Sequence, residues 1–260
     1  MKDPHVERLH YRAVVKEHVD FDNAPDLDEE NDDFRMIVGK GQAIFEMKRH
    51  FASQNEAREV VERFLRKWDV FITLNLGPDV LKFEFDGAEL IDLAPPENGK
   101  DVNFLASPIC IGVTVHGSIK RSFSSYPTLP KQFLLSPDAE TLYVRYMAYK
   151  QGRENITSMA YLCLTVIKTS AANNLEEAAK KYMVSSKVLS QLKRLSSEKG
   201  DRAQVRKVTN RTKYVPLTAK QTLWIDEVVK KLIVRAGEIA HDPTREFIIL
   251  TNNDFPKLEP

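Results

Sequence analysis

Apolar and polar positions repeat with two periods along this chain, and the period changes near its middle. Residues 34–48 read as two short apolar runs, "FRMIV" and "QAIFEMK", around Gly39-Lys40-Gly41. In the second run Ala43, Phe45 and Met47 fall on one side and Gln42, Ile44, Glu46 and Lys48 on the other. That period of two predicts a half-buried strand, and the glycine-flanked turn predicts a hairpin. A first strand is expected over 10–21, with further strands over 69–75 ("DVFITLN"), 80–85 ("VLKFEF") and 109–117 ("ICIGVTVHG"). Between the hairpin and these strands the period lengthens. Ser53-Gln54-Asn55-Glu56 has the form of a capping box, in which each end satisfies a backbone N–H that the helix leaves without a partner. Ala57, Val60, Val61, Phe64, Leu65 and Trp68 then make one continuous helical stripe. Strands around a single amphipathic helix predict an α+β layer, the helix covering one face of an antiparallel sheet.

Residues 122–137 ("SFSSYPTLPKQFLLSP") carry three prolines and four serines and are read as a linker. Downstream the pattern is helical over 138–150, 154–170, 174–183, 185–198 and 219–241. The last stretch opens on a second capping box, Thr218-Ala219-Lys220-Gln221, and stops before Pro243, because proline disfavours the helical conformation of the residue ahead of it. "FIILTNN" (247–253) reads as a strand. The expected organisation is an acidic α+β domain over 1–121, the linker, and a basic all-helical domain over 138–260. No internal repeat is evident.

Composition agrees with a folded chain: 42% apolar and 29% charged residues in 260. No charged-then-apolar leader opens the sequence. The longest apolar run, Ile156 to Ile167, is too short to span a bilayer and predicts a buried helix, so no membrane partner is expected. Cys110 and Cys163 lie in apolar contexts and read as free thiols of a reducing cytoplasm. The six histidines lack metal-ligand spacing, so neither a metal nor a cofactor is expected.

The formal net charge of +1 conceals a division. Residues 1–137 hold 17 Lys+Arg against 23 Asp+Glu, and residues 138–260 hold 21 against 14. Within 180–213 eleven basic residues face only Glu198 and Asp201. Attraction to phosphates scales with such clustering, so RNA or DNA, or an acidic protein surface, is the expected partner. The stretch 175–195, "LEEAAKKYMVSSKVLSQLKRL", resembles a helix-turn-helix. The resemblance implies a small Ala179 facing the second helix, Tyr182, Val184, Leu189 and Leu192 buried, Ser185 as a cap, and Met183 where a turn glycine is usual. It implies that Ser186, Lys187, Ser190, Gln191 and Arg194 project outward, with lysines on phosphates and Gln191 or Arg194 able to read bases. Lys187, Gln191, Lys193, Arg194, Lys199, Arg202, Arg206 and Lys207 are therefore the candidate binding residues. The acidic counterpart, "DLDEENDD" (26–33), reads as a solvated loop that could dock on the basic segment of the same or a neighbouring chain.

A second candidate lies in "RAGEIAH" (235–241). Arg235 is placed at the edge of the apolar stripe of 219–241, with Glu238 roughly between it and His241. One reading is a surface Arg235–Glu238 pair and a histidine at the negative end of the helix dipole. The alternative comes from the R-x(5)-H spacing of Arg235 and His241 in a helical context, which resembles the R-x(4–6)-H motif of HEPN domains. That family includes metal-independent ribonucleases, often dimeric. The resemblance implies that Arg235 would stabilise phosphate charge and His241 would assist proton transfer.

Other motifs are set aside. Pro25-Asp26 with Glu46-x-Lys48 formally fits the carboxylate–lysine pattern of metal-dependent nucleases, but one of its acids falls in the acidic run where chance matches abound. Gly39-Lys40-Gly41 precedes a strand rather than a helix and is no phosphate loop. Three function classes remain: a nucleic-acid or acidic-partner binder acting through 180–213, a HEPN-like endoribonuclease, and a non-catalytic interaction protein.

Overall fold

The computed structural model describes residues 1–94, 121–127, 131–198 and 215–258. The chain divides into two compact units, Met1–Leu129 and Pro130–Pro260.

The described residues of the first unit form, in chain order, β1 Pro4–Val15, β2 Val19–Asp20, β3 Leu27–Glu30, β4 Phe34–Gly39, β5 Gln42–Met47, α1 Gln54–Leu76 and β6 Leu81–Asp92, with a further short strand, β7, at Arg121–Ser122. Five of the strands form an antiparallel sheet in the order β3-β4-β5-β1-β6. The expected hairpin is β4–β5. Lys40 and Gly41 both take positive φ, 50° and 77°, as the two central positions of a tight primed turn require. Ala43 and Phe45 are fully buried and Met47 nearly so, as their alternation predicts.

α1 covers the apolar face of this sheet: Ala57, Val61, Trp68 and Ile72 join Val6, Leu9 and Phe45 in one core. Ser53 caps it by accepting a hydrogen bond from Glu56 N. The helix runs through 69–75, which the sequence reading assigned to a strand. Val70, Phe71, Ile72, Thr73 and Leu74 are all buried, so this stretch shows no polar face whose period could separate helix from strand. The first strand begins earlier than expected, at Pro4, and the strand expected at 80–85 extends to Asp92. The strand expected over 109–117 lies outside the described residues, as does Cys110.

The other sheet face is polar and its charges are paired across strands. Asp28 (β3) binds Arg35 (β4), Arg35 approaches Glu46 (β5), Glu46 binds Arg8 (β1), and Arg8 and His10 both reach Glu89 (β6). The ladder thus runs from one sheet edge to the other. The acidic run 26–33 is part of it. Rather than a solvated loop, residues 27–30 are the edge strand β3, and Glu30 and Asp33 pair with Lys48 and Arg49. β4 supplies the backbone partners, and Arg35, Lys48 and Arg49 supply the cations, so Asp28, Glu30 and Asp33 are matched within their own unit. Glu46 and Lys48 of the set-aside nuclease pattern are likewise engaged in ion pairs.

Residues 121–127 belong to the same unit. β7 pairs in parallel with β2, Phe123 and Tyr126 stack on Phe21, and Trp68 Nε1 donates to the Pro127 carbonyl at 2.6 Å. The proline- and serine-rich stretch is therefore packed at its start, because its aromatic residues have a core to enter. Its far side is packed too: Phe133 lies against Gly237 so closely that a Cβ there would stand 2.0 Å from the ring.

The second unit is all-helical: α2 Pro137–Lys150, α3 Ile156–Thr169, α4 Leu175–Lys181, α5 Ser186–Glu198 and α6 Ala219–His241, followed by a 3-10 turn at Asn252–Asp254. α3, the longest apolar run in the sequence, is central and packs against α2, α4, α5 and α6. Met159, Ala160, Cys163 and Ile167 are fully buried in it. Met159 and Ile167 each contribute roughly 1.5–3 kcal/mol on burial. Burial also pushes the Cys163 thiol far above its ordinary range, which makes it a packing residue rather than a nucleophile. The capping box of α6 is present in both directions between Thr218 and Gln221. Among the described residues no helix is long and apolar enough to cross a membrane.

Candidate nucleic-acid interface

The helix-turn-helix order read from 175–195 folds as α4, a four-residue turn and α5. Asn174 caps α4 by accepting from Glu176 N and Glu177 N. Ala179, Tyr182, Val184, Leu189 and Leu192 are buried, as that order implies, and Val188 and Leu195 join them. The Tyr182 hydroxyl bonds Asp138 at 2.8 Å and Ser170 at 2.6 Å, tying the end of α4 to α2 and to the end of α3. Ser185 caps α5 through Val188 N.

Met183 occupies the position where glycine is usual and adopts φ 48°, the left-handed conformation a glycine would favour. Its backbone shows what holds it there. The Met183 carbonyl accepts from Leu250 N at 2.9 Å and from Arg235 Nη1 at 3.3 Å, while Ser185 N donates to the Leu250 carbonyl at 2.8 Å. Residues 247–250 thus form no regular strand. They run extended past the turn and make a single parallel bridge, Val184 to Leu250.

Arg235 is the centre of this junction. The sequence places it at the polar edge of the α6 stripe, yet it is 8% exposed. It donates through Nη1 to the Met183 and Ile248 carbonyls, at 3.3 and 3.1 Å, and through Nε to Glu238 at 3.2 Å, and its guanidinium lies over the Phe247 ring. Burial is possible because the chain returns after α6 to supply the Ile248 carbonyl and the Phe247 ring, while the α4–α5 turn, distant in sequence, supplies the Met183 carbonyl. His241 is the exposed last residue of α6, and no hydrogen bond or ion pair joins it to Arg235 among the described residues. Arg235 and Glu238 meet; His241 stands apart.

α5 turns its other side outward. Ser186, Lys187, Ser190, Lys193 and Arg194 are exposed and Gln191 is half-buried. Lys187, Ser190, Gln191 and Arg194 recur at i, i+3, i+4 and i+7, one helical face. They line one wall of an open cleft of about 630 Å³. Its other walls are Trp224 of α6 and the C-terminal segment, through Asn252, Asn253, Pro256, Lys257 and Leu258. Among the described residues three cations line it, Lys187, Arg194 and Lys257, and no carboxylate does. None of these cations, nor Lys193, forms an ion pair with a described residue. Lys199, Arg202, Arg206 and Lys207 lie outside the described residues.

Asn252, Asn253 and Lys257 were not among the sequence candidates. Instead of the strand end expected there, residues 252–254 form a 3-10 turn, in which Thr251 and Asp254 cap one another, with Pro256 just beyond. Among the described residues no group of three or more His, Cys, Asp or Glu side chains could hold a metal ion. In comparisons with known proteins the chain matches no family model, no curated protein and no solved structure.

Proposed function

We propose that the helical unit binds nucleic acid through the outward side of α5. The observation that carries this reading is the one-sided use of the helix. Its apolar residues face the bundle, and Lys187, Gln191 and Arg194 are left together on a cleft that no described carboxylate lines. Cations without a partner among the described residues are available to phosphates, and each phosphate neutralised adds to the salt dependence of binding. An arginine and a glutamine on the same face add planar hydrogen-bonding groups suited to phosphate and base edges. The surrounding basic segment 180–213 raises the local concentration of any polyanion.

The ribonuclease reading has weaker support. A phosphate at Arg235 would compete with two backbone carbonyls and a carboxylate already on its guanidinium. We infer that Arg235 sets the position of the α4–α5 turn and so acts on binding through α5.

Fluorescence anisotropy of labelled RNA and DNA over a salt series tests the proposal. The Lys187→Glu/Arg194→Glu protein is expected to bind at least about tenfold more weakly and to show a salt slope shallower by about two phosphates. Binding that is unaffected by the pair, or absent at low salt, would reject the α5 face as the interface.

A further inference from the structure

The shape of the cleft separates two kinds of nucleic acid. A recognition helix reads a duplex by protruding into a major groove about 12 Å wide, which requires its outward face to stand clear of the rest of the protein. In this structure that face does not stand clear. Lys187, Gln191 and Arg194 share a concavity of about 630 Å³ with Asn252, Asn253 and Lys257 of the C-terminal segment. The segment is fixed in place. Lys231 Nζ donates to the Asp254 carbonyl, Phe255 is buried against Trp224, and Leu250 is bridged to the α4–α5 turn.

A concave site of this size suits a single extruded unit, not a helical groove; small-ligand clefts span about 300–1,000 Å³. The chemistry of its walls fits the same occupant. Gln191, Asn252 and Asn253 each offer an amide donor and acceptor, the complement of a Watson–Crick edge, which only an unpaired base presents. The three cations lie around the same space for the flanking phosphates. We propose that the cleft between α5 and residues 252–257 seats one nucleotide of a single strand, the C-terminal segment forming its second wall. This rests on the nucleic-acid reading above and narrows it: the helix-turn-helix order supplies a wall of a single-strand site, not a duplex probe.

The test measures anisotropy of a fluorescein-labelled 12-nucleotide single strand and of its blunt duplex, with the full chain, Lys257→Glu, the Asn252→Ala/Asn253→Ala pair and the control Arg145→Glu. Arg145 is exposed on α2 and does not line the cleft. Thermal unfolding of each variant checks that it folds. The expected result is single-strand binding at least about tenfold tighter than duplex binding. Lys257→Glu should lower it about fivefold or more, the amide pair should lower it with no change in salt slope, and Arg145→Glu should leave it unchanged. Equal or tighter duplex binding, or equal losses in Lys257→Glu and Arg145→Glu, would overturn the single-strand site while leaving nucleic-acid binding in place. No salt-sensitive binding to either probe would overturn both readings and point to an acidic protein surface.

Discussion

The two units use charge in opposite ways. On the polar face of the sheet, Asp28, Arg35, Glu46, Arg8 and Glu89 alternate in sign across five strands, and the hydrogen bonds that Arg35 donates to Asp28 hold its guanidinium well above its ordinary value. In the helical unit one arginine is buried on backbone carbonyls and the cations of the α5 cleft have no partner among the described residues. Charges paired across strands contribute a little to the fold and largely offset one another, whereas cations unpaired among the described residues contribute little to the fold and are available to a ligand. The difference shows that a count of charged residues is a poor guide to an interface, and that the pairing of each charge decides.

The strongest way to break this contrast is at Arg235. Arg235→Met leaves the Met183 and Ile248 carbonyls and the Glu238 carboxylate without their donor, at a cost of about 2–4 kcal/mol in denaturant unfolding. Arg235→Lys should recover little, since one ammonium cannot serve three acceptors in the guanidinium plane. If Arg235→Met unfolds like the parent chain, the arginine is not the structural clamp described here and its role must be sought at a ligand.

A smaller effect is expected in the sheet unit at His5. Burial and then the stacked His50 ring lower its pKa below 6.5, against opposing pulls from Glu7 and Asp3, and Phe51 N donates to its Nδ1, which requires that nitrogen to be unprotonated. The folded state therefore binds the proton less well than the unfolded chain. The stabilisation is present above pH 6.5 and is lost as pH falls through and below that value. His5→Asn keeps an acceptor without a titrating ring, so its melting temperature should vary less between pH 7.5 and 5.5 than that of the parent. Parallel curves would remove His5 from the account.

The smallest effect is the ladder itself. Arg35→Gln should lower the melting temperature by less than about 3 °C and leave nucleic-acid affinity within about twofold, because exposed pairs contribute little and are screened by salt. A large loss of binding in this variant would show that the sheet face, despite its matched charges, takes part in the interface.

The helical half was the more legible in sequence. The capping box at Thr218 marks its last helix, Ser185 marks the start of α5, and the apolar spacing of Leu189 and Leu192, with Tyr182 and Val184 ahead of them, fixes which side of α5 is buried. The sheet half misled where local signals conflict with long-range ones. Residues 69–75 are rich in strand-favouring types yet continue α1, since Trp68 and Ile72 belong on the stripe that covers the sheet. The acidic run gave no apolar alternation, and its role as an edge strand depends on β4 and on Arg35, Lys48 and Arg49. At the cleft, α5 announced its half of the wall through spacing. The other half comes from a segment some sixty residues on, brought there by the bridge at Leu250 and the bond from Lys231, which no local pattern encodes.

The turn at Met183 carries a consequence for descent. Its left-handed backbone is maintained from outside, by a guanidinium and a returning amide that both seek its carbonyl, so the side chain there is not what secures the bend. So long as the two donors persist, such a position can hold an unbranched residue such as this methionine in place of glycine, though not proline or a β-branched one. Relatives of this protein should be traceable by an arginine late in the last helix and an apolar tail passing the turn, features that a search keyed to a glycine would pass over.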